Sequence, residues 1–291
     1  MEISERLYHQ YYNLLFSIAY RMTSSVSDAE DMVQDVLLQS INRVDWKAIT
    51  NPKAYLCKLI TNRCLDYLKS ARNQRTSYIG EWLPEPLITE ISNPPEEQAI
   101  SSEQLGVAYL LLLEQLIPTE RLVFVFREVF QYRYREISEL TELSESNCRK
   151  LYSRAKQKLA IGLERKDYPP TGMQENQILM NKFIRAIQSG ERDTLSSLLS
   201  QEVVVYADGG GKVSAAMRPI FKMERVIAYL LGIERKAKGE YTYQITTVNG
   251  GPGIVFFVNE KAYCVCTCEL TGDLISKLFF ILNPDKLRHV Q

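Results

Sequence analysis

The sequence predicts a multidomain chain: two all-α domains followed by an α+β domain with an antiparallel sheet. Three observations carry this. Up to about residue 165 the apolar residues recur at helical spacing. A proline-containing acidic stretch over 76–100 divides that helical part in two. After the break Tyr168-Pro169-Pro170-Thr171-Gly172, short alternating runs separated by glycine turns take over. The expected segments are 1–75, the linker 76–100, 101–166 and 174–288, which a chain of 291 residues can accommodate.

The first segment reads as three helices. Leu7, Tyr11, Leu14, Leu15, Ile18 and Met22 outline the buried stripe of the first. Ser27 is placed to cap the second, which turns Val33, Val36, Leu37, Ser40 and Ile41 inward. Asp28, Glu30, Asp31 and Asp35 fall in its first turns, where the helix dipole favours acid. Pro52 opens the third at its first position, with Tyr55, Leu56, Leu59, Ile60, Cys64 and Leu68 facing inward.

The linker holds too many prolines for regular structure and too much acid for a core. Trp82 and Leu83 are the exceptions and are expected to anchor it on a neighbouring domain. Helices then resume. Between Tyr134 and Leu159, Ile137 and Leu140 mark a first helix, Glu142-Leu143-Ser144 a short connection, and Ser144 a cap for a second helix. Cys148, Leu151, Ala155 and Leu159 form the inward stripe of that second helix. Ser146, Asn147, Lys150, Arg154 and Gln157 point elsewhere. Polar hydrogen-bonding residues at a helix start with cations behind them suit the DNA major groove. The alternative is a solvated basic helix in an ordinary helical hairpin.

Beyond the break, 176–189 and 192–199 read as helices, 202–207 as a strand, and 223–234 as a helix. The strands 241–248, 253–258, 262–270 and 274–282 follow as a meander, with Asn249-Gly250-Gly251 and Thr271-Gly272-Asp273 as turns.

Composition excludes several classes. A hydrophobic share of 45% with 24% charged residues is that of an ordinary globular protein. No apolar run approaches the roughly 20 residues of a membrane span, and the N-terminus has no secretory pattern, so a cytoplasmic protein is expected. None of the six cysteines makes a C-x-x-C pair. Alternation places Cys264, Cys266 and Cys268 on one strand face without a nearby histidine, so they read as core and not as a metal site.

Net charge is zero, but its distribution is uneven. Lys53, Lys58, Arg63, Lys69, Arg72 and Arg75 face a single Asp66, and the stretch from Arg149 to Lys166 is similarly basic. From Thr76 to Glu120 there is neither lysine nor arginine, but eight glutamates. Two basic segments joined by an acidic connector point to two separate phosphate-contacting faces.

With those residues in place, the first 165 positions resemble a bacterial extracytoplasmic-function (ECF) sigma factor. DAEDMVQDVLLQS resembles the segment with which sigma region 2 grips RNA polymerase, NPKAYLCKLITNRCLDYLKSAR the helix engaging the −10 element, and the helix-turn-helix region 4, which reads the −35 element. GEWLPEPL at 80–87, DGGGK at 208–212 and NPDKL at 283–287 resemble the subgroup with a fused SnoaL-like C-terminal domain, a curved sheet closed by helices into a cone.

The resemblance implies roles. Asp28, Asp31, Gln34 and Asp35 would meet core polymerase. Trp46, Lys47 and Asn51, in the loop where the family holds a flipped base, would serve the −10 element with Asn62, Arg63, Lys69 and Arg72. Ser146, Asn147, Arg149, Lys150 and Arg154 would serve the −35 element. Pulling a base out of the stack costs a few kcal/mol, offset by a pocket and cationic backbone contacts. The third helix lacks the adjacent aromatic pair of primary sigma factors, and Tyr55 and Tyr67 read as core, so weak autonomous melting and strict promoter dependence are expected.

For the C-terminal domain the resemblance implies regulation in cis through Trp82, Leu83, Pro84, Glu85 and Pro86 on one side. On the other side stand Asp208, Gly209, Gly210, Gly211 and Lys212 with Asn283, Pro284, Asp285 and the rest of NPDKL. Several SnoaL-like relatives are cyclases or isomerases, which need a buried base. Here Asp208 sits beside three glycines, and His289 lies at an end expected to fray, so docking ranks above a plain turn, a ligand and catalysis. The expected partners are core RNA polymerase (clamp and flap of the large subunits) and promoter DNA, with no membrane, no cofactor and no enzymatic activity. The three glycines with Lys212 could also serve an anionic small-molecule ligand of the C-terminal domain, a reading nothing else in the sequence supports. Two rivals remain: a ligand-responsive helix-turn-helix regulator without a sigma role, which leaves Ser27 to Arg75 unexplained, and a cyclase or isomerase fused to a DNA-binding module.

Overall fold

A computed structural model describes residues 3–43, 46, 48–75, 78–89, 106–159 and 173–290. They fall into two units: residues 3–75 group with 109–159, and residues 78–89 group with 173–290. The linker is thus not a separate piece: its described part belongs to the C-terminal unit.

The helical unit begins with α1 (Ile3–Thr23), α2 (Val26–Arg43) and α3 (Pro52–Arg75). Leu15, Ile18, Met22, Val33, Val36, Leu37, Leu56, Ile60, Cys64 and Leu68 are buried where helical spacing expects them. The cap of α2 is Ser25, whose Oγ accepts from the Asp28 N–H at 3.1 Å; Ser27 lies inside the helix. The sharp turn after α1 moves the start forward, since Ser24 adopts a left-handed φ of 59°. Asn51 caps α3 through the Ala54 N–H at 3.0 Å. The side chains of Leu7, Ile41 and Arg72, and Lys47 altogether, lie outside the described residues.

The same unit continues with α4 (Val107–Leu113), α5 (Pro118–Glu128), α6 (Tyr134–Thr141) and α7 (Glu145–Leu159). The run Leu122–Phe126 of α5 is buried throughout, so this helix is the centre against which the helix-turn-helix packs.

The C-terminal unit carries α8 (Met173–Ser189), α9 (Arg192–Leu198) and α10 (Met223–Ala237). Its strands are β1 (Ile88–Thr89), β2 (Leu199–Asp208), β3 (Ile220–Phe221), β4 (Thr242–Val248), β5 (Gly251–Val258), β6 (Lys261–Thr271) and β7 (Leu274–Ile281). They form one sheet in the order β1-β4-β5-β6-β7-β2-β3. The sheet is mixed rather than antiparallel, because β2, which precedes α10, pairs in parallel with β7, the last strand of the meander. Proline content hid β1 in the linker: Pro84 and Pro86 precede it and leave two residues free to pair with β4. Cys264, Cys266 and Cys268 share the inner face with Phe183, Leu198, Ile227 and Ile254. Burial pushes all three thiols up, Cys268 to about 12, so they sit as neutral core groups.

Candidate functional site

Three sets of residues stand out: an exposed face of α7, an exposed face along α2 and α3, and a buried polar clamp on the linker.

On α7 the cap forms as expected, with Ser144 Oγ accepting from the Asn147 N–H at 3.3 Å. Cys148, Leu151, Ala155 and Leu159 are buried, and Ser146, Asn147, Arg149, Lys150 and Arg154 are exposed. Their roles differ. The Arg149 guanidinium lies 4.6 Å from the Tyr134 ring centroid and pairs with Glu145 at 3.1 Å. Arg127 lies 5.0 Å from the same ring and donates to the Tyr132 carbonyl at 2.9 Å. Tyr134 is thus a platform that orients Arg149, a contact the helical pattern could not reveal. Lys156 leans toward Glu128 and Lys158 toward Glu120. No described ion pair involves Lys150 or Arg154, which leaves both available to phosphate.

On α2, Asp31 and Gln34 are exposed, while Asp28 accepts from the Tyr67 hydroxyl at 2.7 Å and Asp35 pairs with Arg63 at 2.8 Å. Both links join α2 to α3, so two acids expected to face polymerase also brace α3. Asn62 and Lys69 are exposed on α3, Lys69 with Asp66 at 2.9 Å. Such exposed pairs are worth about 0–1 kcal/mol and yield readily to a better partner. Trp46 packs edge-on against Tyr55, and its indole N–H has no hydrogen-bond partner among the described residues.

The linker clamp centres on Asp208, the last residue of β2, whose side chain is 0% exposed. Its Oδ1 accepts from the Tyr78 hydroxyl at 2.6 Å and the Gly210 N–H at 2.9 Å. Its Oδ2 accepts from the Leu83 N–H at 2.9 Å and Lys286 Nζ at 2.7 Å. Lys286 Nζ also donates to the Leu83 carbonyl and lies 4.3 Å from the Trp82 ring and 5.0 Å from that of Tyr78. Asn283 Nδ2 donates to the Tyr78 hydroxyl at 2.8 Å, and the Asn283 side-chain oxygen caps the 3-10 turn Pro284–Leu287. Burial and the Asp208 carboxylate both hold the Tyr78 hydroxyl well above its ordinary range.

The glycines now have reasons. A Cβ at Gly209 would stand 2.4 Å from the Val213 carbonyl, and one at Gly210 2.3 Å from the Asn283 amide. Outside the carboxylate, Lys212 pairs with Asp285, which also takes Arg288 at 2.6 Å and titrates below its ordinary range because of the Lys212 bond. His289 is not frayed: its Nε2 is 2.8 Å from the Pro86 carbonyl. Beyond Pro86, Leu87 and Asn249 exchange hydrogen bonds of 2.8 and 3.1 Å, and Ile88 and Thr89 pair with Val248 and Thr247. Tyr78 and His289 escaped the sequence reading as partners, Tyr78 because a lone tyrosine in a polar stretch carries no spacing signal, whereas Lys286 belongs to the NPDKL motif already placed in the contact.

The Sigma-70 region 2 model matches residues 7–74, and the Sigma-70 region 4 model matches residues 106–159. Over 98% of this chain and 93% of its own length, the ECF RNA polymerase sigma factor SigJ of Mycobacterium tuberculosis is 30% identical. The chain belongs to the ECF RNA polymerase sigma factors. A probable ECF sigma factor of the same organism, SigI, is 27% identical over 94% of this sigma factor and 91% of its own length. The crystal structure of M. tuberculosis SigJ superposes with a TM-score of 0.75 at 28% identity, covering 98% of both chains, so this sigma factor shares its whole architecture and is SigJ-like. Sigma factors are transcription-initiation factors, with core RNA polymerase and promoter DNA as their partners. No helix among the described residues is long and apolar enough to cross a membrane.

Proposed function

We propose that this sigma factor holds the polymerase clamp through the α2 face around Asp31 and Gln34, with Asp28 and Asp35 behind it. It reads the −10 element through Trp46, Asn51 and the exposed side of α3, with Lys47 and Arg72 completing that set. It reads the −35 element through Ser146, Asn147, Arg149, Lys150 and Arg154, with region 4 on the polymerase flap. The C-terminal domain acts as regulator, not enzyme, by gripping the linker and so setting how freely the two reading domains can be placed. This activity belongs in the cytoplasm, where polymerase and promoters are.

The buried Asp208 supports the regulatory reading. A catalytic base needs a free lone pair facing a substrate. Here both carboxylate oxygens are engaged, three of their four partners being Tyr78, Leu83 and Lys286. A tethered domain acts at high effective concentration, so such a contact restrains the linker without a separate partner.

The test is in-vitro transcription with core polymerase. The full chain is expected to confer promoter-specific initiation, and Lys286→Met, which removes the clamp's cation at constant length, is expected to change promoter output severalfold. Promoter binding without any initiation would favour the ligand-responsive regulator instead. Equal output from the variant would remove the linker clamp from the mechanism.

A further inference from the structure

How α7 is seated on α5 decides which of its cations can leave for DNA. The buried stripe Cys148, Leu151, Ala155 and Leu159 holds the helix down, but apolar burial is non-directional, and Cys148 and Ala155 are small. The stripe alone does not fix how far α7 is turned about its own axis. For a reading helix that angle matters: a turn of about 30° moves an atom about 6 Å from the axis by about 3 Å, more than a hydrogen bond tolerates.

Two polar clasps supply the missing direction. In the first turn of α5, Glu120 is 2% exposed, and its Oε2 accepts from Lys158 Nζ at 2.6 Å and from the Ile117 N–H at 3.3 Å. At the end of α5, Glu128 Oε1 accepts from the Tyr152 hydroxyl, and Lys156 Nζ lies 3.9 Å from the same oxygen. The last turn of α7 therefore meets the start of α5, and its middle meets the end of α5. The two glutamates are about 12 Å apart along their helix. Two points at that separation fix slide and rotation together, where one would leave a pivot.

The second clasp reaches the exposed face. The Tyr152 ring stacks on the buried Phe124 at 6.2 Å and stands edge-on to Tyr134 at 6.0 Å. Tyr134 in turn is the platform of Arg149. Glu128 steadies Tyr152, Tyr152 steadies Tyr134, and Tyr134 carries the cation.

The clasps also divide the basic residues. Arg149 pairs with the exposed Glu145, and such a pair yields readily to a phosphate. The Glu120 side chain is only 3% exposed, so withdrawing Lys158 would strip a buried carboxylate of its cation, which is costly. Lys158 stays with the fold.

We propose that Glu120 and Glu128 are positioning residues for −35 reading. Through Lys158 and Tyr152 they set the rotation of α7, and Lys158 is thereby withheld from DNA although it lies in a basic stretch. This rests on the assignment of α7 to the −35 element.

The test uses the full chain bound to core polymerase, with a promoter fragment titrated at several salt concentrations. Lys158→Met keeps length but removes the cation, and Tyr152→Phe keeps the ring but removes the hydroxyl. Each is expected to weaken promoter binding about fivefold or more at an unchanged salt slope, and Lys158→Arg to restore it. A slope lower by about 1 in Lys158→Met would make Lys158 a phosphate ligand and overturn its withholding. Unchanged affinity in either variant would overturn the positioning role.

Cys148 gives a second readout that needs no DNA. It lies in the buried stripe, and the other cysteines are buried as well. Its alkylation by iodoacetamide, followed by peptide mass, is expected to be slow in the native chain and several times faster in both variants. An unchanged rate overturns the clasps. Arg154→Ala separates the two failures: affinity and slope unchanged there, with Cys148 still accelerated in the clasp variants, overturns the −35 assignment alone.

Discussion

The exposed face of α7 and the buried clamp at Asp208 are both rows of charged and polar side chains, yet they are built in opposite ways. Along α7, Lys150 and Arg154 have no described ionic partner, and Arg149 is steadied only by an aromatic ring and an exposed glutamate. At Asp208 each carboxylate oxygen accepts two hydrogen bonds, and the cation opposite is enclosed by two rings and a carbonyl. A surface meant for an outside partner keeps its bonding capacity open. A contact within the chain fills it, since a buried charge left unpaired is costly. Degree of satisfaction, more than residue type, separates the two rows here.

The sharpest way to break this contrast is Asp208→Asn. Removing one member of a buried ion pair leaves the other uncompensated and costs about 3–5 kcal/mol. The Leu83 amide proton, which the carboxylate accepts, is expected to lose its protection in hydrogen exchange, and the domain to melt earlier. Undiminished protection would mean that β1 alone holds the linker.

On α7 the effects are smaller and of a different kind. Arg154→Ala and Lys150→Ala are expected to leave stability within about 0.5 kcal/mol, as at other exposed sites. A variant that no longer reaches a phosphate is expected to lower the salt slope of DNA binding by about 1, and one that no longer reaches a base edge to weaken affinity by about 1–3 kcal/mol. A large melting shift would move these residues to the structural side. Tyr134→Ala sits between the two classes. As a platform for Arg149 it is worth about 0.5–1 kcal/mol of DNA affinity, and that effect is expected to vanish in an Arg149→Ala background. Additive effects would show that Tyr134 acts independently of Arg149.

Legibility followed the same divide. Helix spacing was enough to place Cys148, Leu151, Ala155 and Leu159 inside α7 and Ser146, Asn147, Lys150 and Arg154 outside, because burial on a helix is periodic. The strands β4 to β7 were legible to within two residues at either end from alternation and glycine turns. The motif DGGGK pointed to Asp208, but its partners come from positions 78, 83 and 286, and no spacing rule joins residues 78 to 130 apart. The cap of α2 shifted to Ser25 because the left-handed Ser24 turn is set by packing, including its bond to Glu114. The parallel pairing of β2 with β7 was hidden because local alternation says nothing of strand direction. The inside of each element was therefore readable, and the links between distant ones were not.

The mildest way to sharpen the contrast is pH. The Tyr78 hydroxyl is held above its ordinary value of 10.0 by burial and by donation to Asp208. The folded clamp thus keeps this proton where the released linker would lose it. A group whose folded pKa is raised contributes stability that is complete below the unfolded value and drains away as pH rises past it. Clamp stability is therefore expected to be flat from neutrality to about pH 9 and to fall above about pH 10 as the tyrosinate of the released linker is favoured. Trp82, stacked on Lys286, supplies the readout through its fluorescence, with Trp46 as the other indole. In Tyr78→Phe the alkaline decline is expected to shrink, at the cost of the bond to Asp208. A decline of equal size in that variant would assign it to another group, since phenylalanine has no proton to lose.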